Sequence, residues 1–288
     1  MNCITITHCK LVHCTVNMFD LKHKIVLLTG GANGIGAAIV QAFLREGVKH
    51  IAILDIDVSS GNSLENEMNE TYGDEKVKYY QCDVSKDEQL LETFNIVHDR
   101  NSYIDIVINN AGLTDESNTS NIRSEIEVNY IALVNGTLKA LEMMRVDRGG
   151  RGGTVINISS IACLCQLAPA LFVYLGTKSA VLQFSNCIGR EEYYTKTGVR
   201  VITVCFGNTD TTIMQKLKSF DEEINKEMQE IIKLYPMQSQ ESAAKGVVDV
   251  LKNGKSGSTW LVANDKPAVD YSSHVTDAYK IMAKHLND

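Results

Sequence analysis

The stretch Lys24-Ile25-Val26-Leu27-Leu28-Thr29-Gly30-Gly31-Ala32-Asn33-Gly34-Ile35-Gly36 limits what this chain can fold into more than any other. An apolar run rich in β-branched residues enters a glycine turn, and Ala37–Leu44 continues at helical spacing. Strand, turn and helix start, in that order, bring unpaired N–H groups and the positive end of a helix dipole to one point. Glycines there let the backbone come close to a phosphate. Tight turns without ligands use the same residues, so the turn alone leaves both readings open. Its spacing is Gly-x-x-x-Gly-x-Gly, not the commoner Gly-x-Gly-x-x-Gly.

The same alternation continues along the chain. After a first strand at Ile25–Thr29 and a helix at Gly34–Glu46, apolar runs at His50–Leu54, Val77–Gln81, Ile104–Ile108, Thr154–Ile158, Val199–Val204 and Thr259–Val262 read as strands. Helical patterns stand between them at Ser59–Tyr72, Lys86–Asp99, Ile122–Arg145, Tyr174–Tyr194, Asp221–Leu234 and Ala243–Leu251. This predicts a single-domain α/β fold of Rossmann type, a doubly wound and mostly parallel sheet with helices on both faces. Ligands of such sheets bind outside the carboxyl ends of the strands, so function is sought there. A chain of 288 residues can bury that core without disulfide staples. Residues 1–17 read as a disordered extension, 18–265 as the domain with a substrate loop at 209–236, and 266–288 as a C-terminal tail.

A net charge of −7 disfavours nucleic acid or an anionic membrane surface as partner. No apolar run approaches the ~20 residues that a membrane span needs. Cys82, Cys163, Cys165, Cys187 and Cys205 fall mostly in strand or helix patterns and read as buried free thiols, which fits a reducing cytoplasm. His8-Cys9-Lys10-Leu11-Val12-His13-Cys14 invites a zinc reading, but no second Cys/His pair follows at finger spacing, and no metal site is expected. The loop Asp147–Gly153 carries Arg148 and Arg151, yet it precedes a strand rather than a helix, which favours a solvated loop over a phosphate site.

Asp55 closes the second strand about twenty residues past the glycine turn, where a carboxylate accepts from both adenosine ribose hydroxyls and repels a 2′-phosphate. That predicts NAD over NADP; capping of the next helix is the alternative, and Asp57 is placed to share it. Tyr174 and Lys178 are four apart on a predicted helix, hence on one face. An ammonium beside a phenol favours tyrosinate. A hydroxyl of Ser159-Ser160 would hold a carbonyl or alcohol oxygen against that phenol. A lone Tyr–Lys pair is far more readily a surface packing contact, and its weight comes from the dinucleotide turn on the same fold. Neither Gly-x-Ser-x-Gly nor His-Glu-x-x-His occurs, so a hydrolase elbow and a zinc-dependent dehydrogenase lack support.

Together these residues resemble the classical short-chain dehydrogenase/reductase family. Its Thr-Gly-x-x-x-Gly-x-Gly stands at Thr29–Gly36, its Asn-Asn-Ala-Gly at Asn109–Gly112 and its Tyr-x-x-x-Lys at Tyr174–Lys178. Within the family, Val173–Val181 and Gly207–Ile213 look most like insect-type alcohol dehydrogenases, with 15-hydroxyprostaglandin dehydrogenase as the vertebrate relative. The resemblance implies Tyr174 as general acid/base, Lys178 lowering its pKa and holding the nicotinamide ribose, and Ser160 orienting the substrate oxygen. It implies Asn129 beside a proton-relay water. For the cofactor it implies Gly30, Asn33, Gly34, Ile35 and Gly36 at the phosphates, with Asp55 at the ribose. Asp83 and Val84 would contact adenine, Asn110, Ala111 and Gly112 form the turn beside the cofactor, and Gly207, Thr209 and Thr211 approach the nicotinamide. A homodimer or homotetramer is implied as well.

The chain departs from the family pattern at Phe206-Gly207, where Pro-Gly is usual, and Ser160 lies one residue further from Tyr174 than in close relatives. The expected function is NAD-dependent interconversion of a hydrophobic alcohol and its carbonyl, with Leu164, Leu167, Ala168, Leu171, Ile213, Met214 and Leu217 lining the substrate side. A catalytically weak, cofactor-binding or storage-type member of the fold is the alternative.

Overall fold

The computed structural model describes residues 19–166, 171–284 and 286. The Cys/His-bearing extension, Leu167 and Ala168 lie outside the described residues. Among these residues β1 (Ile25–Thr29), β2 (His50–Asp55), β3 (Val77–Gln81), β4 (Ile106–Asn109), β5 (Gly153–Ser160), β6 (Val199–Phe206), β7 (Thr259–Val262) and β8 (Val269–Asp270) form one sheet. Its order is β3-β2-β1-β4-β5-β6-β7-β8. Neighbours are parallel except β8, which runs antiparallel to β7. The strand order reverses between β1 and β4, and the crevice outside their carboxyl ends is where ligands of such sheets sit.

The connecting helices are α1 (Gly34–Arg45), α2 (Val58–Tyr72), α3 (Asp87–Asn101), α4 (Thr119–Ile126), α5 (Leu133–Met144), α6 (Phe172–Ile188), α7 (Glu191–Thr197), α8 (Thr212–Gln215), α9 (Glu222–Lys233), α10 (Gln240–Asn253) and α11 (Ser272–Met282). Alternation along each strand sends successive side chains to opposite faces. Val26, Leu28, Ile53, Ile108 and Val204 join Ile39, Phe43, Val247 and Leu251 of α1 and α10 in one core. Leu27, Leu54, Val107, Val155 and Val201 join Leu90, Phe94, Leu141 and Met144 of α3 and α5 in the other. Continuous apolar strands are what a sheet covered on both faces requires.

Some elements differ from the pattern. The helix expected over Ile122–Arg145 begins at Thr119 and is interrupted by a π turn, Glu127–Ala132, before α5. The helix expected to reach Tyr194 ends at Ile188: a Cβ on Gly189 would lie 2.6 Å from Gly257 N, so two backbones pass there. β6 runs on to Phe206, because a residue that keeps its N–H can stay in the ladder beyond the point where proline would stop it. The C-terminal segment adds β8 and α11. Cys82 and Cys205 are buried, but Cys165 and Cys187 are exposed, contrary to the expectation for all five thiols. Among the described residues no helix is long and apolar enough to cross a membrane.

Candidate active site

At the start of α1, Asn33 is the N-cap but its side chain makes no capping bond; its amide donates to Asp57 Oδ2 (3.0 Å) instead. The first N–H groups of the helix therefore keep capacity for another acceptor. Gly34, Ile35 and Gly36 line a cavity of about 410 Å³. A Cβ on Gly36 would strike the Gly30 carbonyl oxygen. One on Gly30, where φ is +64°, would lie 2.8 Å from Ala111 Cα. Asn110 closes this arrangement: its amide donates to Thr29 O (3.1 Å) and Gly30 O (2.9 Å), so it braces the glycine turn from β4. The N–H groups of Asn110 and Ala111 both donate to Thr29 Oγ1 at 3.1 Å.

Asp55 lines the same cavity at the end of β2. It accepts from Ala32 N–H (3.0 Å) and Asp57 N–H (3.1 Å). Capping of α2 falls to Asp57, whose Oδ1 accepts from Ser60 N–H (3.0 Å). Asp83 organises its own turn through Ser85 N–H (3.0 Å), and it lines the cavity with Val84. Helix start, close-approach glycines and strand-end carboxylate make a cradle whose donors and acceptors fit a dinucleotide, the glycines being the residues that would hold its phosphates and Asp55 the one that would hold a ribose.

Ser160, Tyr174 and Lys178 face the other part of this cavity. Burial pushes the Tyr174 phenol up to about 12, while its hydrogen bond with Ser160 acts the other way. Lys178 donates to Ile158 O (3.2 Å), and its Nζ lies 5.6 Å from the Tyr174 ring centroid. Burial lowers it to about 8. Depression of the phenol by Lys178 is thus not what this geometry gives: loss of water disfavours both charged forms and wins. Ser159 spends its hydroxyl on Lys178 O (2.9 Å), which leaves Ser160 as the serine bonded to Tyr174.

Asn129 sits in the π turn with its side chain bonded to both backbone groups of one residue, Leu113, and its amide also within 3.4 Å of Thr177 Oγ1. Its Oδ1 accepts from Leu113 N–H (2.9 Å) and its amide donates to Leu113 O (2.8 Å). Gly112 passes against it: a Cβ there would be 3.4 Å from Asn129 Oδ1 and 3.7 Å from Lys178 Nζ. After β6, Gly207 N–H donates to Val262 O (2.9 Å) and Thr209 Oγ1 to Gly207 O (3.0 Å). Thr211 Oγ1 donates to Thr209 O (3.3 Å), and all three residues line the cavity. Leu171, Ile213, Met214 and Leu217 line it as expected, whereas Leu164 does not.

Sequence reasoning missed several residues. Met228, Ile231 and Ile232 of α9 complete the apolar wall, a role that the amphipathic pattern of the helix could have suggested. Asn157 joins β4, α5 and α6 through Asn109 (2.8 Å), Thr137 (3.0 Å) and Ser185 (2.9 Å). The thiols of Cys163 and Cys205 lie 3.5 Å apart, with Cys163 lowered and Cys205 raised by their mutual bond. Glu116 and Glu125, both wholly buried, look like loop and surface acids in sequence.

Comparison with known proteins gives the family. The family model of the short chain dehydrogenases matches residues 24–222. Mouse 15-hydroxyprostaglandin dehydrogenase [NAD(+)] is 30% identical over 235 residues, covering 80% of this chain and 86% of the mouse protein. Alcohol dehydrogenase 2 of Ceratitis cosyra is 28% identical over 247 residues, covering 84% and 92%. Among solved structures, the 3-ketoacyl-(acyl-carrier-protein) reductase from Brucella melitensis complexed with NADH superposes with a TM-score of 0.71 at 18% identity, covering 85% of this chain and 98% of that one. With those motifs at those strand ends, the chain belongs to the short chain dehydrogenase family.

Proposed function

We propose that this protein is an NAD-dependent oxidoreductase that interconverts an apolar alcohol and its carbonyl, with Tyr174 as the acid/base. The proposal rests on one observation: a single cavity joins the glycine cradle and Asp55 to Ser160, Tyr174 and Lys178, and then to the apolar residues of α8 and α9. NAD, when bound, accepts the hydride from the carbinol carbon. The hydroxyl proton passes to Tyr174 Oη in oxidation and returns from it in reduction. Ser160 holds the substrate oxygen, and Lys178 holds the ribose and adds positive charge beside the phenol. On the substrate side Leu171, Met214, Leu217 and Ile231 offer no ionic partner, which supports an apolar substrate. The relatives named above support the hydride chemistry and the choice of NAD.

A homodimer or homotetramer belongs to the same reading, supported by Ile126, Ile131 and Leu138 exposed on and around α4 and α5. The free thiols among the described residues accord with a reducing, cytoplasmic setting. The test follows NADH absorbance with the purified protein and NAD over alkanols, farnesol, prostaglandins and steroid alcohols. Turnover of at least one apolar alcohol is expected, and Tyr174→Phe should lower it about a hundredfold or more while leaving NADH binding near normal. Tight NADH binding with no turnover across the panel would instead make this a cofactor-binding protein.

A further inference from the structure

Helix α6, which carries Tyr174, starts without a cap of its own: its N-cap is Leu171, an apolar side chain that makes no capping bond. The first N–H groups of a helix need acceptors, and here a carboxylate from a distant loop supplies them. Glu116 Oε1 accepts from Val173 N–H (2.8 Å) and Tyr174 N–H (3.0 Å), and its Oε2 accepts from Phe172 N–H (3.1 Å). Glu116 is 0% exposed. A carboxylate taken out of water is costly unless every lone pair is used, and the positive end of a helix is a place that supports it.

The same short loop touches the other parts of the site. Leu113, at its start, holds both ends of the Asn129 amide, and Asp115 N–H donates to Glu125 Oε2 (3.0 Å). Glu116 N–H donates to Lys218 O (2.8 Å) in the segment after α8, and Phe172 packs on Phe220 with ring centroids 5.2 Å apart. One loop therefore links the peptide of Tyr174, the π-turn asparagine and the segment that follows the apolar wall.

We propose that Glu116 is a positioning residue for Tyr174: by holding the N–H of the tyrosine itself, it sets where the phenol stands relative to Ser160 and the substrate oxygen. This rests on the acid/base reading of Tyr174. Displacing a reacting group by about an ångström costs on the order of a hundredfold in rate. Glu116→Gln keeps the volume but brings an NH2 group against at least one of the three N–H donors. Its kcat should fall roughly ten- to a hundredfold. The affinity for NADH should stay near that of the wild type, and the solvent deuterium isotope effect on kcat should rise as proton transfer becomes limiting. Amide hydrogen exchange at Phe172–Tyr174 should quicken. Should Glu116→Gln fail to fold, Glu116→Asp, which retains the charge but draws it back by one methylene, carries the same test.

Unchanged exchange at those amides overturns the proposal whether or not the protein is active. So does faster exchange with an unchanged kcat and isotope effect, which would leave Glu116 as a helix cap only. A wild type that shows no turnover, with exchange still quickened in the variant, overturns the functional reading and leaves the capping contact standing without a catalytic role.

Discussion

Glu125 offers a measurement in which electrostatics can be separated from packing. It lies on α4 with 0% exposure, accepts Asp115 N–H on Oε2 and has no partner on Oε1. Burial raises its carboxyl from 4.5 to about 7, the charge of Glu116 adds to the shift, and the Asp115 N–H and Lys178 oppose it. The folded state thus binds this proton more tightly than the unfolded chain. The stability it provides is fully present below 4.5 and is lost as pH rises through about 7. A shift of that size corresponds to about 3 kcal/mol at ~1.4 kcal/mol per pH unit. Glu125→Gln removes the titration while its amide oxygen can still accept from Asp115 N–H. The variant should match the wild type in urea midpoint at about pH 4 and gain up to about 3 kcal/mol over it by about pH 8. Lys178 does not confuse the reading, because its own window runs from about 8 up to 10.5, above that of Glu125. A stability difference that stays constant across this range would refute the assignment of a buried, neutral-pH carboxyl to Glu125.

Asp55→Ser should leave an acceptor near Ala32 N–H but remove the charge that repels a 2′-phosphate, so the ratio of kcat/KM with NADP to that with NAD should rise by about tenfold or more. Gly36→Ala places a methyl group on the Gly30 carbonyl. Its backbone cannot relax without opening the cradle, so NADH affinity should drop more than about tenfold while far-UV circular dichroism stays that of an α/β protein. Phe43→Ala, at a fully buried position between α1 and α10, should cost about 3–5 kcal/mol in urea unfolding.

What could be read in advance was whatever leaves a periodic or local mark. The strands announced themselves because both faces are covered, so each is an unbroken apolar run, and the glycine turn and Asp55 lie within a short stretch of chain. Tyr174 and Lys178 were visible because helical spacing puts them on one face. The π turn was not, since Glu127–Ala132 continues the composition of the helix it interrupts, and only the packing of Asn129 on Leu113 marks it. Glu116 was invisible for a related reason. An acid in a polar stretch after β4 has the pattern of a solvated turn, and its partners are 56 to 58 residues away in sequence. The pKa of Tyr174 could not be read from spacing either, because burial is a property of the whole fold, and here it outweighs the hydrogen bond with Ser160.

Burial acts on both Tyr174 and Lys178, and the two effects have to be set against each other. With the phenol held up to about 12, Tyr174 is a proton donor at neutral pH, the form suited to reducing a carbonyl. Oxidation needs the tyrosinate, and deprotonation from about 12 at neutral pH costs about 7 kcal/mol. That pKa already holds with Lys178 in place, 5.6 Å from the ring centroid, so the lysine leaves the whole of this cost standing. It is itself lowered to about 8, so its charge is present at neutral pH but fades just above it. The lysine alone therefore does not bring the phenol to a tyrosinate, and a further positive charge beside it is needed to lower the cost. On the proposed function the oxidised nicotinamide carries such a charge and the reduced form does not. Tyr174 is then a base when the hydride acceptor is bound and an acid when the hydride donor is bound, which is the sense each direction of the reaction requires. Binding at the glycine cradle becomes a precondition for proton abstraction at the far end of the same cavity.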